Sequence, residues 1–145
     1  MPSIHASAVL VGARAVLIRG SSGSGKSRLA LALLRAAQSG QLSFARLVAD
    51  DRSHLEARHG RLLVRPVPEL AGLIEVRGLG IRRLPFEAAA VVGLVVDLSA
   101  PDGERLPDPA SRRTVLEGVE LARLAVAADV DPLPLVLAAL TTDAA

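Results

Sequence analysis

Read from the N-terminus, the first strong pattern is apolar. "SAVLVGARAVLI" predicts two short strands, Ala8–Val11 and Ala15–Ile18, joined through Gly12. A glycine-rich turn follows, and then residues 27–37, rich in Ala, Leu and Arg and free of Gly and Pro. They predict a helix ending near Ser39-Gly40. "ARLVADD" reads as a short strand with a polar end at Asp50-Asp51, and "HLEARHGRLLVRPV" as a hairpin turning at His59-Gly60. "GLIEVRGLGIRRL" places a strand before Gly78 and Gly80. "AAAVVGLVVDLS" is a nearly continuous apolar run, as expected of a strand buried on both faces and ending at Asp97. The Pro-rich polar stretch "APDGERLPDPASRR" reads as surface loop. Beyond it the pattern mixes short strands with a helix cut by Pro132 and Pro134, and "TTDAA" reads as a loose tail at about 141–145. No repeat or second unit stands out, so residues 1–145 are read as one domain.

Composition narrows the chemistry. Half of the 145 residues are hydrophobic, but only Phe44 and Phe86 are aromatic, so the core must be built from Val, Leu, Ile and Ala. The chain has no cysteine, which excludes disulfides and thiol catalysis. No apolar run approaches the roughly 20 residues needed to span a bilayer. The N-terminus lacks a basic region followed by an apolar one, so the expectation is a cytoplasmic protein without a membrane partner. The net charge is only +2, and no basic stripe or aromatic platform suggests nucleic acid.

The glycine-rich turn is the most specific feature. Gly20-Ser21-Ser22-Gly23-Ser24-Gly25-Lys26-Ser27 satisfies G-x-x-x-x-G-K-[ST], and Lys26 is the only lysine of the chain. The glycines let successive N–H groups curl around phosphate oxygens, and the following helix adds its unsatisfied N-terminal N–H groups. Lys26 can reach the β and γ phosphates, and Ser27 can place its hydroxyl on Mg²⁺. Gly/Ser runs also occur in flexible loops, but here the turn lies between an apolar strand and a Gly-free helix, the context that the motif requires.

The carboxylates decide where phosphate would go. Asp50 and Asp51 end a strand and point in different directions, so one can face a nucleotide and the other an acceptor; a solvated turn cap is the bland alternative. Glu75, between Ile74 and Val76, is explained by a metal, by Arg77 or by an exposed edge strand. Asp97 is open to a metal- or water-holding role or to a simple strand end.

Together, Ile4-His5, "VLIRGSSGSGKS", "RLVADD" at 46–51 and "IEVRGLGI" at 74–81 resemble, in order, the catalytic domain of the bacterial HPr kinase/phosphorylase family. The resemblance implies an α/β fold: a P-loop-containing mixed β-sheet core like that of nucleotide-dependent phosphoenolpyruvate carboxykinases. It implies an ATP- and Mg²⁺-dependent protein-serine kinase acting on an HPr-like phosphocarrier, reversible by phosphorolysis, and a homo-oligomer, a hexamer in the family. Carried over by residue, Gly20 to Ser27 cradle the nucleotide phosphates, and Ser27 and Glu75 hold Mg²⁺. Asp50 is the base, Asp51 lies beside it, and His5 and Lys26 join the same catalytic cluster.

The sequence also departs from the family. It resembles the short alphaproteobacterial form, Arg28 replaces a common acid, and residues 35–45 are longer than usual. "VAADVDPLPLVLAAL" lacks the arginines of the family's "RPGRN" segment, which puts phosphorolysis in question. The alternatives are a small-molecule kinase or nucleotidase, and a nucleotide-sensing module with little turnover.

Overall fold

A computed structural model describes residues 2–145, and the apolar runs lie at its centre. In chain order the strands are β1 (Ser3–Ile4), β2 (Ala6–Val11), β3 (Arg14–Arg19), β4 (Ala45–Ala49), β5 (Ser53–Arg58), β6 (Arg61–Pro66), β7 (Leu73–Val76), β8 (Gly80–Arg83), β9 (Ala90–Asp97), β10 (Arg113–Leu116) and β11 (Val119–Ala125). The helices are α1 (Lys26–Gln38) and α2 (Pro132–Thr141). Among the described residues, nine strands form one mixed sheet in the order β1-β5-β6-β9-β3-β2-β4, with β11 and then β10 branching from β9. β3 and β11 run parallel to β9, whereas β7 and β8 make a separate antiparallel hairpin.

Both faces of the central strands are covered, which is why their sequences read as continuous apolar runs. β3 sends Val16 and Ile18 towards α1, and Ala15 and Leu17 to the opposite face. On the first face α1 buries Leu29, Ala30, Leu33 and Ala36, one stripe at helical spacing. On the second, Leu55, Leu62 and Val64 of the β5–β6 hairpin and Leu121 of β11 close over the same strands, so the sheet curls around its own core. The result is a mixed α/β fold with a P-loop at the end of β3. No helix among the described residues is long and apolar enough to cross a membrane.

The turn chemistry explains the hairpins. His59 and Gly60 have φ of 52° and 75°, and Glu117 and Gly118 have 51° and 76°. Consecutive positive φ values are what a two-residue hairpin needs to match strand twist.

The strand expected before Gly78 and Gly80 is β7, and the chain then returns as β8 to complete a hairpin. One expectation is corrected. Pro132 and Pro134 do not cut a helix but begin one. Pro132 occupies its first position, and the Asp131 side chain caps it by accepting from the Leu133 amide at 3.2 Å. Both prolines stand in the first turn, where a missing N–H costs nothing because it would have no helical partner.

Leu33 is completely buried between α1 and the sheet, whereas Leu135 on α2 is 40% exposed. Leu33→Ala is therefore expected to lower stability by about 3 kcal/mol and Leu135→Ala by about 1 kcal/mol or less, measured from urea unfolding midpoints. Equal losses would place the core elsewhere.

Candidate active site

The P-loop connects β3 to α1. Gly25 is the helix N-cap at φ 102°, has no side chain to cap the helix, and is followed by no acid in the first turn. The first N–H groups of α1 are therefore free to meet an anion. Lys26 is almost fully buried, and its Nζ donates to the carbonyls of Gly20 and Ser21 at 3.0 and 3.2 Å. Ser24 Oγ is buried inside the loop without a hydrogen-bond partner. A Cβ at Gly20 would collide with that hydroxyl and approach Leu98 Cβ at 3.3 Å, so the loop closes tightly only around glycine. An unpartnered buried hydroxyl, open helix amides and a parked ammonium are donors suited to phosphate oxygens.

The two aspartates that follow β4 have opposite environments. Asp50 is buried and accepts from Ser7 Oγ at 2.8 Å, from Ser27 Oγ at 2.7 and 2.8 Å, and from the Glu75 amide at 3.1 Å. Ser7 also accepts from the Asp51 amide at 3.0 Å, tying β2 to both acids. Asp51 adopts φ 67°, and the Arg52 amide donates back to the Asp50 carbonyl at 2.8 Å, a tight turn centred on Asp51. Such backbone strain in a non-glycine residue persists only where its surroundings hold it. The turn swings the Asp51 carboxylate outward, 63% exposed, to 3.9 Å from Lys26 Nζ.

A cavity of about 440 Å³ opens at this point; Lys26, Ser27, Arg28, Asp51, Glu75 and Arg77 are on its wall. Asp50 is behind that wall. Glu75 is exposed on β7 and makes no ion pair with Arg77 among the described residues. His5 is exposed between β1 and β2. Its neighbour Ala6 donates to the Asp51 carbonyl at 3.1 Å, so the backbone brings His5 near the cluster while its ring stays off the cavity wall.

For Mg²⁺ the donor set fits. Ser27 gives its single proton to Asp50 and keeps its lone pairs, and Glu75 offers a carboxylate on the same cavity. No cluster of three or more His, Cys, Asp or Glu able to hold a metal occurs among the described residues. A hard cation held by one or two protein oxygens, with phosphate and water completing its shell, suits that arrangement.

Sequence reasoning missed some residues around the site. Ser7 was visible only as a polar residue in an apolar strand. Arg28 and Arg77 contribute to the cavity wall. Asp97 is not a metal ligand: it accepts two hydrogen bonds from Arg19 at 2.7 and 2.8 Å and one from Arg123 at 2.6 Å. Arg123 also grips Asp102 at 2.7 and 3.0 Å and the Ser111 carbonyl at 3.0 Å, clamping both ends of the polar loop. Because Arg19 immediately precedes Gly20, this network braces the root of the P-loop.

The profile of the HPr serine kinase C-terminal domain matches residues 1–99. The chain belongs to this family. The chain is similar to the HPr kinase/phosphorylase of Halalkalibacterium halodurans, 39% identical over 114 residues that cover 73% of this chain and 34% of the relative. It is also similar to that of Geobacillus thermodenitrificans, 35% identical over 136 residues, covering 86% of this chain and 41% of the relative. The chain spans only about a quarter to two fifths of the length of the curated relatives it matches. A solved structure of the HPr(Ser) kinase/phosphatase from Coxiella burnetii is similar across 97% of this chain and 93% of its own, with a TM-score of 0.74 and 26% identity.

The Asp97 network makes a pH-dependent prediction. Burial acts to raise the Asp97 carboxyl, but the hydrogen bonds and charges of Arg19 and Arg123 outweigh it, holding the group below its ordinary 3.8. A lowered folded-state value adds stability that is present above the unfolded pKa and is lost as pH falls through the folded one. The stability gap between wild type and Asp97→Asn, from urea midpoints, is expected to be widest near neutrality and to close below about pH 4. A gap unchanged under acid would mean that the charge of Asp97 contributes nothing.

Proposed function

We propose that this domain is the catalytic core of an ATP- and Mg²⁺-dependent kinase that phosphorylates a serine of an HPr-like phosphocarrier protein and undoes this by phosphorolysis, in which inorganic phosphate takes the phosphoryl group to leave serine and pyrophosphate. The observation that carries this reading is the shared cavity, where Lys26, Ser27, Glu75 and the strained Asp51 meet the free N-terminus of α1.

In this reading the loop amides, Ser24 and Lys26 hold the β and γ phosphates of ATP, and Lys26 leaves its two loop carbonyls to do so. Ser27 and Glu75 are the protein ligands of Mg²⁺. Bound there, Mg²⁺ supplies positive charge against the phosphate oxygens.

The two aspartates divide the remaining work, and their bonding supports the reverse of the roles expected from the resemblance. Asp50 has three donors on its oxygens and lies behind the cavity wall, so it suits holding Ser27. Asp51 is open to an incoming hydroxyl and suits accepting the serine proton, then returning it to the serine oxygen in the reverse direction. His5, exposed beside the Asp51 backbone, is kept as a flanking member of the cluster. The hexamer and the kinship with the short alphaproteobacterial form belong to the same proposal and rest on the sequence resemblance.

The test is transfer from γ-labelled ATP, with Mg²⁺, to the HPr carrier encoded in the same genome. Phosphoserine is expected with the wild type, and both Lys26→Ala and Asp51→Asn are expected to slow its formation by about 10²-fold or more. Asp51→Asn is expected to retain ATP affinity. Asp50→Asn is expected to weaken Mg²⁺-ATP binding as well, because Ser27 loses its charged acceptor. ATP binding with no label on the carrier would favour the nucleotide-sensing alternative, and full activity in Asp51→Asn would return the base to Asp50.

A further inference from the structure

Both phenylalanines of the chain are at the surface, although the core is aliphatic throughout: Phe44 is 38% and Phe86 40% exposed. Phe44 walls a second groove of about 560 Å³, between the outer side of α1 and the Leu84–Pro85 segment. Leu31, Leu34 and Ala37 give it an apolar lining, and Arg35 and Arg46 supply its cations. Phe86 follows Pro85 and bridges to Leu47 of β4. Leu31 also lines the phosphate cavity, so the groove begins where the cavity ends.

Arginine predominates around the groove, and Glu87 beside Arg46 is the carboxylate paired there. Arg28 and Arg35 are seven residues apart and so share a face of α1. Neither has a carboxylate within 4 Å among the described residues, and the same holds for Arg77, Arg82 and Arg83 of the β7–β8 hairpin. Arg46 is 3.6 Å from Glu87 and 5.7 Å from the Phe44 ring centroid. Aromatic and arginine side chains around an apolar floor, with few lysines or acids, match the composition of protein-recognition centres. Through Leu31 the groove adjoins the cavity to which an acceptor comes in the kinase reading.

We propose that this groove docks the acceptor protein, taking an apolar side chain flanked by carboxylates while the acceptor serine reaches Asp51. The inference rests on the protein-kinase reading, and it adds a binding determinant outside the phosphate cavity. A nucleic acid would be better served by an extended basic stripe with stacked rings than by an apolar pocket with two arginines beside it.

The experiment titrates the isotope-labelled HPr carrier of the same genome with this protein and follows its NMR shifts, so that binding is read without catalysis. Arg35→Glu and, independently, Arg46→Glu are expected to weaken binding by about tenfold each, and added salt to weaken the wild type more than either variant. Both variants should keep their affinity for ATP. In the transfer assay the same change should appear in KM for the carrier, with kcat nearly unchanged. Unaltered carrier affinity in both variants overturns the docking site, and so does a loss that salt does not modulate. If the variants instead dissociate an oligomer while carrier binding is unchanged, the groove joins two copies of this chain and the proposal is wrong. Competition by single-stranded RNA at equal affinity would likewise overturn it in favour of nucleic acid. Carrier binding weakened by Arg35→Glu, but without phosphoserine from the wild type, would refute the kinase reading and leave the docking site standing.

Discussion

The carboxylate of Asp50 is the joint on which the site depends. A buried carboxylate is tolerated only when hydrogen bonds replace its water shell, and Asp50 draws its donors from three other elements: Ser7 on β2, Ser27 on α1 and the Glu75 amide on β7. These partners are separated from it by 43, 23 and 25 residues, so the bonds form only when the sheet, the helix and the β7–β8 hairpin have come together. Three consequences follow from that one requirement. The lone pairs of Ser27 are turned into the cavity, Glu75 is held across from the P-loop, and the next residue, Asp51, has to turn away from the line of β4.

That departure is what makes Asp51 different from its neighbour. With Ser7 holding the Asp51 amide and the Arg52 amide folded back onto Asp50, the chain between them has to take a left-handed turn. A glycine would adopt it with less strain but would bring no carboxylate. Strain at this point is supported on both sides by hydrogen bonds, as expected where the position of a side chain matters more than local stability. The Arg19–Asp97–Arg123 network acts in the same sense on the other side of the P-loop, fixing the C-terminal ends of β3, β9 and β11 to one another.

Much of this was legible locally. The P-loop, the α1 boundaries, the β5–β6 hairpin and β9 rest on glycine chemistry and uninterrupted apolar runs, signals contained in short windows of sequence. What was not legible depended on distance or on choosing between equivalents. Alternation shows that Asp50 and Asp51 point to different sides, but not which side is buried; Ser7 decides that from 43 residues away. Asp97 meets Arg19 across 78 residues, so no local pattern could separate an ion pair from a metal ligand. In α2 the prolines were read as breaks because their effect depends on whether they fall in the first turn or beyond it, and only the Asp131 cap fixes that frame.

The same geometry accounts for the chain's single lysine. The Lys26 ammonium is a compact charge on a flexible stem, and in this structure it rests on two carbonyls of its own loop. Releasing those bonds and swinging to a phosphate needs only rotation of the stem. A guanidinium is planar, holds its donors in a rigid fork, and needs more room than a side chain 5% exposed inside a glycine-tight loop is given. Elsewhere the cations sit at the surface or in forked pairs with carboxylates, as Arg19 and Arg123 do on Asp97, and there arginine serves well. One position in the fold demands a small mobile charge, and the sequence keeps lysine at that position alone.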